Sequence, residues 1–163
     1  MCWQCDHPDA TIDDYLDTVR ATIDENGWAV QYVEDDRRPF AYTIGLHARG
    51  LDELLVTGVG PQRALLLLNT VASFCVNTAQ PSAGETMSLP DCIIEFVDVA
   101  RPDVHLSHAV NIYGPKVRAL QLAWVDDGGH SPWCRDFDNG RGSQPVLGNR
   151  AVERKPPPKR RRR

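Results

Sequence analysis

The sequence lacks any long hydrophobic run, and this absence bears first on membrane insertion. Its longest uninterrupted apolar stretch is Ala64 to Leu68, far below the roughly 18 residues that a membrane-spanning helix needs. The first 30 residues hold seven Asp or Glu against Arg20 alone, which is the reverse of the basic start of a signal peptide. We therefore expect a cytoplasmic protein that has no membrane partner.

Disulfide and catalytic patterns are also missing. The five cysteines are odd in number, and we expect no export of the chain, so a disulfide framework is not predicted. No nucleophile elbow, zinc-protease helix, phosphate-binding P-loop or calcium-binding loop occurs in the sequence. The sequence therefore offers no persuasive set of catalytic residues, and an enzyme is the less favoured class.

Charge is divided between two parts of the chain. Residues 1–149 hold 10 Lys and Arg against 21 Asp and Glu, a net of −11, whereas residues 150–163 hold 8 Lys and Arg against one Glu, a net of +7. The length of 163 residues and the hydrophobic content of 42% suit one globular domain. We expect an acidic body followed by a basic tail.

Two segments predict the main helices. The first has an apolar stripe at helical spacing over about 12–26, with Thr11 as its N-cap and Gly27 at its end. The second begins at Pro61 and runs to about Thr78, and its apolar residues cover most of its circumference, which predicts a buried, central helix. A short helix is predicted within 105–113.

Apolar segments rich in β-branched and aromatic residues predict the strands, at 28–33, 40–46, 53–59, 92–99 and 116–125. The first two form a hairpin, and the last is an interior strand. We predict an α+β fold: a single domain with a mostly antiparallel or mixed sheet of five to six strands, packed by two main helices. Its parts are a Cys/His N-terminal knuckle at 1–10, a core at 11–140 and a disordered basic tail at 141–163.

The N-terminus presents a candidate metal site. Cys2, Cys5 and His7 bring two thiols and an imidazole into one short segment, which suits Zn²⁺. Two inert cysteines beside Trp3, or a redox pair, are the alternatives. We favour a regulatory zinc over a structural one. A tetrahedral site needs a fourth ligand, for which the candidates are Cys134, His130 and His47.

Two further patterns are weaker candidates. Residues 58–63 lie between a predicted strand and a predicted helix, as in a dinucleotide-binding turn, but Arg63 replaces the third glycine and an ordinary turn is favoured. His105 and His108 are three residues apart and close to Tyr113, so a ligand pair or an acid–base pair competes with ordinary loop histidines. We assign neither pattern a catalytic or cofactor-binding role.

The tail is a candidate nucleic-acid-binding segment, with the basic residues Arg154, Lys155, Lys159, Arg160, Arg161, Arg162 and Arg163. Dense positive charge binds phosphates with release of counterions, and arginine adds bidentate phosphate contacts. Contact of the tail with the acidic body is the alternative; a lipid surface is less favoured because no apolar anchor accompanies the charge. We expect any RNA binding by the tail to be independent of sequence.

Several motifs resemble the actinobacterial domain-of-unknown-function 4262 family: CWQCDHP at 2–8, GWAVQYV at 27–33, FAYTIGLH at 40–47 and ALQLAWVD at 119–126. The resemblance covers about residues 1–148 and implies no established reaction. Within this family the chain is similar to a mycobacterial factor that recruits a hibernation protein to ribosomes when zinc is scarce. That likeness implies the ribosome and a hibernation factor as partners, and Cys2, Cys5 and His7 as the zinc-responsive group.

These observations predict a non-enzymatic, zinc-responsive accessory protein of a stress response. It binds the ribosome or another RNA-rich assembly through the basic tail, and Zn²⁺ is its regulatory cofactor. The alternative is an enzyme or a small-ligand-binding domain that uses the loops around Tyr42, His47 and residues 58–63.

Overall fold

A seven-stranded mixed sheet forms the centre of the computed structural model, which describes residues 3–141 and 143–151. The strands are β1 (Ala29–Val33), β2 (Phe40–Ile44), β3 (Glu53–Thr57), β4 (Thr86–Ser88), β5 (Ile93–Val99), β6 (Ala119–Trp124) and β7 (Gly148–Asn149). Their order is β1-β2-β3-β6-β5-β4, and β7 pairs with β5. The pair β3 and β6 is parallel and the other pairs are antiparallel. The predicted α+β fold with a mixed sheet is confirmed.

Five α-helical segments accompany the sheet: α1 (Trp3–Asp6), α2 (Ile12–Asn26), α3 (Pro61–Asn77), α4 (Pro102–His105) and α5 (Ser107–Tyr113). Helix α2 has the predicted bounds. The Thr11 hydroxyl accepts from the Asp14 backbone N–H, the Asp14 carboxylate accepts from the Thr11 N–H, and Gly27 ends the helix with φ 93°. These reciprocal bonds satisfy two N–H groups that the first turn leaves unpaired.

The sheet has a hydrophobic core on each face. On one face α3 packs over β1, β2 and β3, against a cluster that includes Leu54, Leu68 and Leu122. On the other face α2 and α5 cover a second cluster, which includes Val19, Tyr42 and Leu106. Every residue of β6 is buried, because this strand contributes side chains to both cores. The prediction of an interior strand here is confirmed.

Helix α3, predicted as a buried, central helix, is buried on one side only. Ala64, Leu68 and Val71 face the sheet and are buried, but Leu65 and Leu66 on the other side are exposed. The apolar run surrounds the helix, whereas the sheet lies on one side of it only, and no other described element covers the opposite side. The side of α3 that carries Leu65 and Leu66 therefore faces solvent.

Several short elements fall in segments predicted as irregular. Helix α1 is a single turn within the predicted knuckle, β4 lies in the predicted loop 80–90, and β7 lies beyond the predicted end of the core. The Gln144 side chain is buried and bonds both the backbone N–H and C=O of Trp124, at 2.9 and 2.8 Å. These bonds extend the folded chain past residue 140, where the sequence predicts the tail to begin. No helix in the described part of the chain is long and apolar enough to cross a membrane.

Candidate functional site

A buried carboxylate organises the turn that follows β2. Glu53, the first residue of β3, has no solvent exposure. Its Oε1 accepts from the backbone N–H groups of Gly45 and His47 at 2.8 and 3.0 Å, and its Oε2 accepts from the Thr43 hydroxyl at 2.7 Å and the Leu46 N–H at 3.3 Å. Glu53 therefore ties β3 to the sequence motif that runs from Thr43 to His47.

The ionisation of Glu53 is set by two opposing effects. Burial raises the pKa of this carboxyl above its ordinary value, because the effect of burial exceeds the lowering effect of the hydrogen bonds from Thr43, His47, Gly45 and Leu46. All four partners are donors, and the Thr43 hydroxyl already accepts from the Leu54 N–H at 2.9 Å. A proton on Glu53 could be accepted only by the Thr43 oxygen, whose own hydrogen would then lose its acceptor, because the other three partners are backbone N–H groups. The geometry therefore favours the ionised form.

Gly45 is required in this turn by backbone geometry. Its φ is 127°, and a Cβ at this position would lie 3.0 Å from the Trp28 Cα and 3.1 Å from the Gly27 carbonyl oxygen. The turn after β2 and the end of α2 therefore approach each other more closely than a side chain allows. We interpret the role of the Thr43–His47 motif and Glu53 as structural: their contacts hold β2, β3 and the end of α2 together.

The second polar cluster lies beneath α5. The Tyr42 hydroxyl is fully buried and accepts from the His108 backbone N–H at 3.2 Å. The His108 ring lies 5.1 Å from the Tyr15 ring, and the Tyr15 hydroxyl donates to the Gln31 side-chain oxygen. The buried Nδ1 of His108 has no hydrogen-bond partner. The cluster joins α5 to β2 and α2 through polar contacts inside an otherwise apolar face.

Burial keeps the Tyr42 and His108 side chains neutral. It raises the pKa of Tyr42 to about 12, against the lowering effect of hydrogen bonds from His108 and Ser107. It also lowers the pKa of His108, so the imidazole is uncharged near neutral pH. Because Tyr42 bonds the backbone of His108 and not its ring, the two side chains do not form an acid–base pair.

A surface cleft of about 580 Å³ lies where α2 ends against the turn after β2. Its lining includes the acidic Asp24 and Glu25, the basic Arg49, and the two glycines Gly27 and Gly45. A Cβ on Gly27 would lie 2.9 Å from Nη2 of Arg49. The guanidinium therefore sits at the C-terminal end of α2, where positive charge is favourable to the helix dipole.

The residues of the small-ligand alternative do not share this cleft. Tyr42 is buried, the His47 ring lies 5.3 Å from that of Tyr113, and the Arg63 guanidinium lies 4.9 Å above the Trp124 ring. A Cβ on Gly58 would lie 2.4 Å from the Ser143 carbonyl oxygen. The backbone at the start of the turn at residues 58–63 therefore packs closely against the C-terminal segment at Ser143.

The two histidines of the predicted pair contact different aromatic rings. His105 ends α4, and its ring lies edge-on to Phe40 at 6.3 Å, whereas His108 belongs to α5 and contacts Tyr15. Burial lowers the pKa of both imidazoles. Each histidine therefore packs against its own aromatic ring and stays neutral.

The candidate metal site lies partly outside the described residues. Cys2 is one of the residues that the structure does not describe, whereas Cys5 and His7 are exposed at and after α1. Among the described residues, no group of three His, Cys, Asp or Glu is placed to hold a metal ion. Of the candidate fourth ligands, His130 bonds Asp126 through Nδ1 at 3.3 Å. The zinc set of Cys2, Cys5 and His7 stays a prediction.

The start of the basic tail is attached to the sheet. Arg150 forms a bidentate salt bridge with the Glu95 carboxylate, with N–O distances of 2.8 and 3.0 Å, and its guanidinium lies 4.1 Å above the Trp133 ring. The Glu95 side chain is 13% exposed, so this ion pair is less screened than a surface pair. The predicted nucleic-acid-binding residues from Arg154 to Arg163 lie outside the described residues, beyond this attachment.

Sequence reasoning missed three buried polar side chains that each make several hydrogen bonds, which are Glu53, Gln121 and Gln144. Gln121 on β6 donates to the Thr57 hydroxyl and the Pro145 carbonyl, and it accepts from the Leu147 N–H. The available signal for Gln121 was its position as a polar residue in an otherwise apolar strand. Such a residue is buried and therefore needs hydrogen-bond partners.

Comparison with known proteins gives one match. No curated protein and no solved structure matches the chain significantly. A family model described as "Domain of unknown function (DUF4262)" matches residues 22–138. This range contains the Glu53 cluster, all of the second polar cluster except Tyr15, and well over half of the sequence. The chain therefore belongs to the DUF4262 family of domains of unknown function.

Proposed function

We propose that this protein is a zinc-responsive accessory protein that binds the ribosome through its basic C-terminal tail. Cys2, Cys5 and His7 bind the regulatory Zn²⁺, and Arg154 to Arg163 bind ribosomal RNA phosphates. The resemblance of the sequence motifs adds recruitment of a hibernation factor to this role. Each of these statements goes beyond the family assignment and is open to direct measurement.

The observation that carries the proposal is the separation of charge, together with the attachment of the tail. The seven Lys and Arg from 154 to 163 follow a body with a net charge of −11. RNA repels such a body and attracts such a tail, so the tail is the segment suited to meet phosphate. The bonds of Arg150 to Glu95 and Trp133 make the tail begin at a defined point on the folded domain.

Ribosome co-sedimentation at several salt concentrations tests the role of the tail. We expect affinity to fall steeply with salt, because each phosphate contact releases a counterion. A variant with Arg160 to Arg163 replaced by alanine is expected to bind more weakly and to show a smaller slope of log affinity against log salt. Unchanged binding by this variant would show that the acidic body makes the interface.

A matched control removes the same charge from the body. Arg37, Arg38, Arg135 and Arg141 are all exposed, and replacing these four with alanine changes the net charge by the same amount. The proposal expects this control to bind ribosomes as the wild type does, or more weakly by a small factor. An equal loss in both variants would mean that net charge, rather than the tail, governs binding.

Metal content tests the zinc part of the proposal. We expect about one Zn²⁺ per chain, lost in Cys2→Ser and in Cys5→Ser because a missing ligand is not replaced. Cys92→Ser serves as the control, because it changes a half-buried thiol directly before β5. Zinc binding that survives Cys2→Ser would remove the N-terminal segment from the proposal.

Ribosome affinity with and without zinc tests the coupling between the two ends. Metal binding changes the charge of the N-terminal region, because thiols lose protons when they ligate a dication. We expect affinity to depend on zinc, and by linkage the ribosome then changes zinc affinity by the same factor. Equal affinity of the zinc-loaded and zinc-free protein at one ionic strength would reject coupling at the level of binding.

A further inference from the structure

The first basic residue of the C-terminal segment is bonded to the acidic body. Residues 150–163 contain eight Lys and Arg, of which the structure describes Arg150. Its guanidinium forms the bidentate salt bridge with Glu95, with N–O distances of 2.8 and 3.0 Å. Five of the other seven basic residues, all of which lie at 154–163, are arginines as well. They have the chemistry to pair with further carboxylates of the body in the same way.

This salt bridge starts the tail on the face of the sheet that α2 covers. Side chains alternate between the two faces along β5. Ile94 and Phe96 belong to the core under α3, whereas Val99 belongs to the core under α2 and α5. Glu95 lies between Ile94 and Phe96 in sequence and therefore shares the face of Val99. Arg150, bonded to Glu95, lies on that face too.

The salt bridge and the first turns of α2 also lie at the same end of the sheet. The strand register from β5 through β6, β3 and β2 to β1 places Glu95 level with Val33, the last residue of β1. Helix α2 ends directly before β1 begins, and its Tyr15 hydroxyl bonds Gln31 of β1. The helix therefore runs antiparallel to β1, which places its first turns near Val33.

The first turns of α2 and the residues just before them form an acidic surface. Lys and Arg are absent from residues 1–19. Arg20 is the first basic residue, and it pairs with Asp17 at 3.0 Å on the outside of the helix. Four exposed carboxylates lie close together in sequence, and we call them the α2 carboxylates: Asp9, Asp13, Asp14 and Asp17. A surface of this charge favours a positively charged partner.

The chain beyond Arg150 is long enough to reach these carboxylates. Four strand steps separate β5 from β1, which is about 19 Å at roughly 4.8 Å each. Helix α2 is about 10 Å across, so its carboxylates lie on the order of 20–30 Å from Arg150. An extended chain spans about 3.3 Å per residue, so the nine residues from 150 to Lys159 span up to about 30 Å. The arginines at 160–163 reach farther still.

We propose that in the free protein Arg160 to Arg163 pair with the α2 carboxylates, from which RNA must displace them. This inference rests on the proposed binding of RNA by the tail and adds its regulation, because the acidic body then competes with phosphate for the same arginines. Other exposed carboxylates next to β5, such as Glu85 and Asp91, are separated from each other along the chain. The α2 carboxylates are four in one short segment and match four arginines.

The strength of the contact follows from its being within one chain. Exposed ion pairs are individually weak, but a short tether gives the tail an effective concentration of about 1 mM at the acidic surface. A contact with a dissociation constant of about 1 mM is therefore about half formed. Since the affinity for RNA is reduced by the fraction of tails that are free, half occupancy lowers it about two-fold.

Carbodiimide crosslinking, which joins a lysine amine directly to a carboxylate, tests the contact in the isolated full-length protein. The three lysines are Lys155 and Lys159 in the tail and Lys116 in the body. At low salt we expect Lys159 to be joined to the α2 carboxylates of its own chain, as read by mass spectrometry on a mixture of isotope-labelled and unlabelled protein. These crosslinks should disappear in about 1 M salt, where the screening length is about 3 Å, and on addition of poly(U) RNA.

The exposed Lys116 is the internal control, because it lies just before β6, at the opposite end of the sheet. We expect no crosslink from Lys116 to the α2 carboxylates. Crosslinks from Lys159 that go only to Glu85 or Asp91, that join two different chains, or that do not form at all overturn the proposal.

The affinity for poly(U) RNA tests the competition. We expect the double variant Asp13→Asn, Asp17→Asn to bind about two-fold more tightly than the wild type, because its tail is free. The double variant Glu85→Gln, Asp91→Asn removes the same charge at exposed positions next to β5 and is expected to change the affinity less. An equal gain in both variants would show that net charge sets the affinity, and it would refute the competition by α2.

The two proposals fail in different ways. Ribosome binding that depends on Arg160 to Arg163, without a crosslink from Lys159 to α2, refutes this inference and leaves the proposed function in place. A crosslink from Lys159 to α2 in a protein that does not bind ribosomes confirms the contact within the chain and refutes the ribosomal role of the tail.

Discussion

Replacement of Glu53 with glutamine tests the role of the buried carboxylate. Glutamine keeps the size of the side chain but turns one of its two acceptor oxygens into an NH₂ donor. In the better orientation, this NH₂ faces the Thr43 hydroxyl and the Leu46 N–H, which donate to Oε2 in the wild type. In the other orientation, it faces the N–H groups of Gly45 and His47. Either way, two buried donors lose their acceptor.

The size of the effect follows from these contacts. An orphaned buried N–H costs about 1–3 kcal/mol, and a hydrogen bond to a charged group contributes about 1.5–3 kcal/mol. Removal of a buried charge offsets part of this loss. We therefore expect Glu53→Gln to lower the free energy of unfolding by about 2–4 kcal/mol, a large fraction of a typical domain's stability. Urea unfolding is the assay, and the midpoint should fall with an unchanged m value.

The control for Glu53→Gln is Glu25→Gln, which removes the same charge from an exposed position and is expected to change stability by less than about 0.5 kcal/mol. Amide hydrogen exchange gives a second readout, because the N–H groups of Gly45, Leu46 and His47 should exchange faster in the Glu53 variant alone. A Glu53→Gln protein as stable as the control would refute the conclusion that an ionised carboxylate holds this turn.

Three further predictions concern other described contacts. Gly45→Ala should destabilise the fold by about 2 kcal/mol or more, because φ is 127° and the Trp28 backbone is 3.0 Å from the new Cβ. Gly60→Ala is the control: φ is −71° and nothing lies within 4 Å of the new Cβ, so only the cost of alanine at the N-cap of α3 is expected, about 1 kcal/mol or less. Stability in urea should fall as pH drops below the ordinary histidine pKa of 6.5, because the unfolded chain protonates before the half-buried His108, whose pKa is lowered. His108→Asn should reduce this pH dependence, and an unchanged slope would contradict it. Arg150→Ala should leave the fold intact, since the guanidinium is half exposed, but should weaken ribosome binding several-fold; equal binding would show that the attachment of the tail is unimportant.

The sequence predicts the elements whose signals are local. Helix α2 has its cap, stripe and terminal glycine within 17 residues, at 11–27, and its predicted bounds agree with the structure. Strand β6 is apolar on both sides, which is sufficient to place it inside the sheet. The short strands β4 and β7 have no such pattern, because each is defined by pairing with β5 rather than by its own residues.

The candidate site depends on contacts that are distant in sequence. Glu53 begins a predicted strand, but nothing in the local pattern shows that its carboxylate meets the turn after β2. The exposed side of α3 was also beyond prediction, since a helix that is apolar all round does not reveal which side the sheet covers. The zinc and tail residues carry strong local chemistry, and their roles still await the experiments described above.

The parallel pairing of β3 with β6 at the centre of the sheet has a consequence for the synthesis of the chain. Strands β1 to β3 and helix α3 are complete by residue 77, but β3 gains its second neighbour only when β6, at Ala119–Trp124, has left the ribosome. At about 5–20 residues per second, roughly 60 residues of delay correspond to about 3–12 seconds. During this time the apolar edge formed by Leu54, Leu55 and Val56 is open to pairing with other chains. Protection of this edge in the nascent chain is therefore expected to raise the yield of this protein.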